Sequence, residues 1–545
     1  MKHPERPSHT KHNARTSHTR HTKYAIAKAL ICSLLLVLPA CRLPCLRQAD
    51  PGANLPETFN GRASADNSGE LAIPEFFEDP ILVNLVEQAL VGNQQLKILA
   101  EDIQIANNEI LARKGAYLPF FNIGPMANLN KYSGYTLLGG DNSQNLTPYG
   151  GHFPSPLPDF LIGTEVAWQV DIWRKLRNSR DAATMRFLGT TDGRNYVVTR
   201  LVAEVAENYY TLLALDKRLQ LLDNIIQLQE QSLATAKKFF EAARFTELPV
   251  QRFMAEVRKN TSQKLIIKQE IVETENRINF LLGRYPMPVE RASVDYFDLK
   301  LHKLSLGIPS QLLLNRPDIR EAERELVATG LDVKVARARF YPALMITGQV
   351  GFEAFNPRYL FFTPESIVGG VAGSLIAPVI NRNAIQADYL SANAKQIQAV
   401  VNYQKVTLTA FTEVINRVSM VENYGKSIEI KKLQLQSLEK SVEVASKLFQ
   451  QARAEYLDVL FSQRDLMDAR TVLIETKKDQ LTAFVNTYQA LGGGIGGLVP
   501  VLNSETDVIP PDAIPPDTSP ADPAGGEVVP PEPMPSKEEA GSVKD

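Results

Sequence analysis

Gly307-Ile-Pro-Ser-Gln-Leu-Leu-Leu-Asn-Arg-Pro-Asp-Ile-Arg-Glu-Ala-Glu-Arg324, running on to Phe340-Tyr-Pro-Ala-Leu-Met-Ile-Thr-Gly-Gln-Val350, holds a change of physical regime. From Asp318 to about Phe340 the residues read as a charged, amphipathic helix. From Pro342 the pattern becomes short, apolar and alternating, the period of a strand. Ile103 to Ile123 makes the same change at Pro119. A chain that twice runs a polar helix into a membrane-like strand has its organisation set by those two junctions.

Working outward, Phe120 to Tyr132 and Phe160 to Ile172 read as strands around a Gly-, Asn- and Pro-rich loop, Gly134 to Pro158. Phe120, Phe121, Tyr132, Tyr135, Phe160, Trp168 and Trp173 cluster near the strand ends, as in the girdles of transmembrane barrels. A soluble hairpin with core aromatics fits this segment equally well. From Arg174 no proline occurs until Pro249, and Leu201, Val202, Val205, Tyr209, Leu212, Leu215, Leu219 and Leu222 form a heptad-like apolar set. A helix of roughly 70 residues spans about 100 Å at about 1.5 Å per residue, which points to a coiled coil or a helical tube. Another helix is expected from Val250 to Leu282, stopped by Gly283. The plan then recurs: helix from about Pro309, strand after Pro342, loop Asn356 to Pro364, strand Ser366 to Ile380, and long helices to Gln451 and Leu491. Upstream, Asp79 and Pro80 are expected as N-cap and first turn of a helix whose apolar face is Ile81, Leu82, Leu85, Val86, Ala89 and Leu90.

The recurrence is visible residue by residue. Phe239-Phe-Glu-Ala-Ala-Arg-Phe-Thr-Glu-Leu-Pro-Val250 aligns without gaps on Leu448-Phe-Gln-Gln-Ala-Arg-Ala-Glu-Tyr-Leu-Asp-Val459, identical at five of twelve positions. The helix-to-strand junctions match as well, Lys114–Pro119 against Arg337–Pro342. Two matches in one order indicate a duplicated half. Each half brings two strands. Open sheet edges are not tolerated in lipid and membrane barrels begin at about eight strands, so four require partner copies to close.

The expected organisation is a secretory signal at 1–40, an extended leader at 41–76, helices at 77–118, a strand pair at 119–173, long helices at 174–283 and a linker at 284–308. The second half follows as helix 309–341, strand pair 342–380 and long helices 381–494, before an acidic tail at 495–545 with eleven prolines from Pro500 onward. The signal joins a basic region to an apolar run, Ala29 to Leu38, too short to span a bilayer as a helix. It ends in Leu38-Pro39-Ala40-Cys41, the pattern of a lipobox, so Cys41 is the expected lipidation site; an ordinary signal with an incidental cysteine is the alternative. The whole chain carries −2 and the first 40 residues +6, which leaves −8; residues 500–545 account for all of it. The body is neutral and offers no basic field for nucleic acid.

Trp168-Gln-Val-Asp-Ile-Trp-Arg-Lys-Leu-Arg177, Gly307-Ile-Pro-Ser310, Asn315-Arg-Pro-Asp-Ile-Arg320, Ala336-Arg-Ala-Arg-Phe-Tyr-Pro342, Tyr456-Leu-Asp-Val459 and Tyr488-Gln-Ala-Leu-Gly-Gly-Gly494 carry a resemblance. In them the chain resembles the TolC-like outer-membrane factor family, most closely its OprM-like (NodT-type) lipoprotein branch, the exit ducts of RND-type efflux systems. The resemblance implies a mainly α fold with a transmembrane β-barrel part, four strands per chain in a trimeric twelve-stranded barrel, and a periplasmic helical tunnel. It implies a homotrimer anchored by a covalent lipid on Cys41 in the lipid of a Gram-negative outer membrane, with no cofactor. A periplasmic adaptor opens it and an inner-membrane RND-type transporter supplies energy, for small molecules such as drugs and toxic compounds. The helix-tip turns implied for adaptor contact carry Ala243, Arg244, Leu248 and Val250, with Ala452, Arg453 and Val459 in the second half. The family's gate positions correspond to Leu457, Phe461 and Arg464, whose i, i+4, i+7 spacing places them on one helix face. Phe461 replaces the family's acidic residue and Phe449 a tyrosine that often makes a gating hydrogen bond, which predicts a more apolar constriction.

No catalytic or metal constellation is expected. His152 falls in a loop and His302 in a linker, all three cysteines lie within the first 45 residues, and Gly492-Gly493-Gly494 reads as a helix stop. Asp318, Glu321, Glu323 and Glu325 are placed to complement a helix N-terminus rather than to work as an acid–base cluster. Two other functions share these features: a TolC-like duct for type I protein secretion, and a non-conducting periplasmic coiled-coil scaffold. The scaffold leaves the matched strand pairs unexplained.

Overall fold

The computed structural model describes residues 43–50, 52–62, 64–147, 150–292, 296–299, 301–378, 382–451 and 453–494. Its elements are helices α1 (Ile73–Phe77), α2 (Pro80–Gly92) and α3 (Gln94–Gly115), strand β1 (Phe120–Asn130), helix α4 (Leu137–Gln144), strand β2 (Leu157–Val170), and helices α5 (Lys175–Glu241) and α6 (Leu248–Leu281). The second half adds α7 (Gln311–Asn315), α8 (Pro317–Ala338), β3 (Ala343–Ala354), β4 (Ile367–Ile376), α9 (Asn383–Gln450) and α10 (Tyr456–Ala490). The halves match in kind and length. α3 and α8 have 22 residues each, α5 and α9 have 67 and 68, and α6 and α10 have 34 and 35.

In each half the short helix and the medium one meet end to end beside the long one. Asn93 caps α3 by accepting from the N–H groups of Gln95 and Leu96, while its amide donates to the Leu281 carbonyl at 2.8 Å, near the end of α6. Gly92 and Gly283 let the two ends approach: a Cβ on Gly92 would lie 2.1 Å from the Leu282 carbonyl oxygen, and Gly283 takes φ +71°. At the corresponding place in the second half Arg316 precedes α8 and donates to the Ala490 carbonyl at 3.0 Å, the last residue of α10. Its side chain, 5% exposed, also holds Asp318 bidentately (3.0 and 2.6 Å) and Glu413 at 2.9 Å. Burial opposes the Arg316 charge, but these carboxylates prevail and raise its pKa further.

The helical core gathers around these joints. Val205, Tyr209 and Leu212 of α5 are fully buried with Leu82, Val86, Ile278, Val485 and Tyr488. Phe76 stacks between Phe484 and Tyr488, with ring centroids 4.5 and 4.0 Å away. That stacking explains α1, which lies inside the segment expected to be extended: Pro74 starts the turn and Phe76 and Phe77 bury against α10. The helix expected from Pro309 is likewise two elements, because Arg316 is extended (ψ 119°) ahead of Pro317. The loop expected from Gly134 to Pro158 contains α4, capped by Thr136, and β2 begins at Leu157 because Leu157 and Pro158 pair with Asn130 and Leu129.

The strands form one antiparallel sheet in the order β1-β2-β3-β4. Its register sorts the residues into two faces. One face carries Asn122, Glu165, Gln349 and Gly370 in one cross-strand row, with Asn128, Asp159, Thr347, Glu353 and Ser374 in others. The opposite face carries Phe121, Val166, Gly348 and Val371, with Ile123, Leu129, Phe160, Ile162, Trp168, Ile346, Val350, Phe352 and Leu375. A sheet with every charged and amide side chain of its strands on one side, beside Phe120, Met126, Leu161, Met345, Val368 and Ile376, and an almost wholly apolar other side with large side chains in the open (Ile123 84% and Val371 84% exposed), has the surface of a membrane barrel wall. Among the described residues no helix is long and apolar enough to cross a membrane. Among the described residues the outer edges of β1 and β4 are unpaired.

The two tryptophans lock the helix-to-strand junctions. Trp168 donates to the Tyr117 carbonyl (3.0 Å) before Pro119, and Trp173 to the Pro342 carbonyl (2.8 Å) while stacking on Tyr341. Asp171, between β2 and α5, accepts from the backbone N–H groups of Leu176 and Arg177. Burial works against its charge, yet those bonds and the Arg177 guanidinium hold its carboxyl below the usual range. The leader runs along α9 from this level: Leu43 and Leu46 pack by Phe340 and Tyr389, Arg47 exchanges two hydrogen bonds with Asn393, the Asp50 carbonyl accepts from Gln404, and Arg62 pairs with Glu422.

Candidate functional site

The far ends of the long helices form two tips, where α5 turns into α6 and α9 into α10. Their turns share two backbone bonds at aligned positions. Ala242 N–H donates to Lys238 O (3.0 Å) and Arg244 N–H to Phe239 O (2.9 Å); at the aligned positions Gln451 N–H donates to Lys447 O (3.2 Å) and Arg453 N–H to Leu448 O (2.8 Å). The first turn needs Ala243 in the left-handed region at φ +58°. Its counterpart Ala452 lies outside the described residues. The helices leave the turns differently. α6 starts with Leu248 and Pro249, whereas α10 starts in a capping box: Glu455 accepts from the Asp458 backbone and Asp458 accepts from Glu455 N–H at 3.1 Å.

A small apolar core joins the tips. Phe449, 2% exposed, sits among Phe239, Phe245 and Phe253 with ring centroids 5.9, 5.8 and 6.1 Å away, and Ala236, Val250, Ala445, Val459 and Leu460 complete it. Phe449 is thus a packing residue at the centre of four helices, with no hydroxyl to bond. Phe240 aligns with it in the repeat but is 45% exposed, and Phe239 turns inward in its place.

The structure separates the residues singled out from sequence into two groups. Ala243, Arg244, Leu248 and Arg453 are exposed at the tips. Val250 and Val459 are buried in the apolar core and present nothing to a partner, a correction to their expected place on a contact surface. They follow the turns by enough residues to point inward, which the alignment of the two tips did not register. Leu457 is half-buried, Phe461 is 53% exposed and Arg464 is exposed, so the face they share on α10 opens outward toward Phe461 and Arg464. Asp458 is engaged in the cap and contributes no free carboxylate to that face. Glu443, on the solvent side of α9, sits between Lys447 and Lys440 at 2.5 and 3.0 Å, and these hold its carboxyl down to about 2.

Sequence reading missed Phe239, Phe245 and Phe253 as the partners of Phe449, although Phe253, Asn260 and Ile267 recur at heptad spacing on α6 and give a findable signal. It also missed a buried polar layer just above this core, in which Asn260 donates to Gln229 Oε1 (2.8 Å) and Gln463 donates to Ser232 Oγ (3.0 Å). Among the described residues no group of His, Cys, Asp or Glu side chains is arranged to hold a metal ion.

With this geometry in place, comparison with known proteins is specific. The family model described as "Outer membrane efflux protein" matches residues 85–284 and 308–493. The cation efflux system protein CusC of Escherichia coli O6:H1 is 26% identical over 449 residues, covering 82% of this chain and 94% of its own. The toluene efflux pump outer membrane protein TtgI of Pseudomonas putida is 27% identical over 427 residues, covering 77% and 87%. A solved membrane protein from Pseudomonas aeruginosa superposes with a TM-score of 0.74 at 22% identity, covering 83% of this chain and all of the other.

Proposed function

The chain belongs to the outer membrane efflux protein family, and on that premise we propose that it is the exit duct of a tripartite efflux system, a passive homotrimer carrying small molecules from periplasm to exterior. The observation that carries this reading is the sheet. One face is almost wholly apolar, the other carries all the charged and amide side chains of the strands, and among the described residues both outer edges are unpaired. Three copies supply twelve strands, within the range of closed membrane barrels, and remove every edge. The long helices continue beneath as a tunnel, with the tips as its inner end. The duct performs no chemistry. A periplasmic adaptor docking on the exposed tip residues Arg244, Leu248 and Arg453 opens it, and an inner-membrane RND-type transporter supplies the energy.

Leu457, Phe461 and Arg464 form the gate in this reading, an apolar constriction rather than an acidic ring. Relatives named for cation and toluene efflux support small solutes as cargo. Cys41, outside the described residues, is the proposed lipid attachment point; the leader supports it by bringing Leu43 to the level where β3 and α9 begin. Conductance of the reconstituted protein tests the gate. Leu457→Ala and Phe461→Ala are expected to raise the closed-state leak, and an unchanged leak in both sinks the assignment. Palmitate labelling lost in Cys41→Ala checks the anchor.

A further inference from the structure

Just above the apolar tip core, four polar residues occupy seam positions that coiled helices normally fill with apolar side chains. On α5, Gln229 and Ser232 continue the buried series Ile225, Gln229, Ser232, Ala236, at spacings of four, three and four. On α6, Asn260 lies midway between Phe253 and Ile267, one heptad from each, and on α10 Gln463 lies between Leu460 and Leu466. All are buried: Asn260 is 1% exposed and Gln463 0%. Of the layer only the serine recurs in the second half, as the exposed Ser441. At the positions aligned with Gln229 and Asn260 the second half has Leu438 and Ala469.

Its hydrogen bonds are incomplete. Asn260 donates to Gln229 and Gln463 to Ser232, but the oxygens Asn260 Oδ1 and Gln463 Oε1 have no hydrogen-bond partner among the described residues. Turning either amide over exchanges which end is left over and does not supply the missing bond. Ser232 is secured independently, since its hydroxyl donates to the Leu228 carbonyl at 3.1 Å. A buried amide without its full set of bonds is costly in the packed state and regains them on contact with water. The Gln463–Ser232 bond also ties α10, from the second hairpin, to α5 of the first at the level of the tips, well below the Asn486–Glu207 bond that joins the same two helices.

We propose that the layer Gln229–Ser232–Asn260–Gln463 is a built-in hinge: it fixes the register of the closed tips and is the level at which water enters and α10 parts from α5 as they open. Above it, Ile225, Ile267 and Leu466 keep the bundle apolar and closed; below it, each hairpin tip moves as a unit. The inference rests on the reading of the tips as the gate, and deepens it by locating where the helices yield.

Hydrogen exchange on the full-length, detergent-solubilised protein tests the hinge without reference to transport. Gln463→Met removes the unsatisfied amide at nearly constant volume, and Ser232 keeps its bond to Leu228. Exchange of backbone amides at 457–463 is expected to slow about tenfold, with the segment around Tyr209 unchanged. Ser232→Ala leaves Gln463 with neither bond, and exchange there is expected to quicken by a similar factor. Unchanged exchange at the tip in both variants, or a change of the same sign in both, overturns the hinge. Conductance keeps the two readings apart. If Gln463→Met slows exchange while Leu457→Ala and Phe461→Ala leave the leak untouched, the hinge stands and the gate assignment falls.

Discussion

The two halves of the chain repeat one scaffold and fasten it with different chemistry. Both joints bring a positive-φ glycine against the facing backbone, Gly283 and Gly492, but where α3 meets α6 the side-chain link is a neutral amide, Asn93, and where α8 meets α10 it is the buried guanidinium of Arg316 with two carboxylates. At the tips two backbone bonds of the turns coincide, but at the same aligned position the second half buries its phenylalanine (Phe449) and the first half exposes its own (Phe240). Duplication therefore preserves backbone geometry, which is set by helix length and turn bonding. Side-chain roles diverge wherever the two hairpins meet each other rather than themselves.

The largest separation is expected at the joints. Arg316→Ala leaves Asp318 and Glu413 without their cation at a half-buried site, which costs about 3–5 kcal/mol. Asn93→Ala removes a cap and one donor to a carbonyl, about 1 kcal/mol. Chemical denaturation of the solubilised protein measures both, and equal losses would show that the joints are interchangeable despite their chemistry.

Next comes the phenylalanine pair. Phe449→Ala opens a cavity among three aromatic rings and is expected to destabilise the tips by about 3 kcal/mol, at the low end for a buried phenylalanine because a helix end can partly collapse. Phe240→Ala removes an exposed ring and is expected to stay within about 0.5 kcal/mol. Limited proteolysis at the tips, read against an uncleaved barrel, reports the difference. If Phe240→Ala proves as damaging, the exposed ring is covered by a neighbouring copy and the comparison must be redrawn for the assembly.

These contrasts also mark what could be read from sequence. The helix-to-strand switch at Pro119 and Pro342 was legible because the periods of 3.6 and 2 differ so plainly, and the strand count followed from it. The tip repeat was legible because the turns need the same local residues. Illegible were the features set by distant partners: α1, whose Phe76 stacks on rings some 400 positions away; the burial of Val250 and Val459; and the end-to-end joints, since neither Asn93 nor Arg316 advertises which helix end it will meet. Of the proposed gate, the shared face of Leu457, Phe461 and Arg464 came from helical spacing alone, but the withdrawal of Asp458 into a cap required seeing Glu455 accept from its backbone.

That cap yields the next contrast. Asp458→Ala opens the capping box at the start of α10 and is expected to cost about 1 kcal/mol, whereas α6, which begins with Leu248-Pro249, has no such box to lose. Amide exchange over the first turn of each medium helix should quicken in α10 only.

The smallest effect is expected at Ala243, which holds φ +58° where a Cβ crowds the following carbonyl. Ala243→Gly relieves that strain but loosens the unfolded chain, and the balance is a gain of about 0.5 kcal/mol. The turn's bonds from Arg244 N–H to Phe239 O and from Ala242 N–H to Lys238 O need no change for the substitution, so the position of the tip should be preserved. Ala243→Val, bulkier and β-branched in the same conformation, should act in the opposite direction and shift the turn. A stabilised Ala243→Gly protein that still conducts and exports normally would show that the strained alanine serves only to close the turn; a stabilised protein that has lost adaptor-dependent export would instead make the methyl group at this exposed tip part of the docking surface.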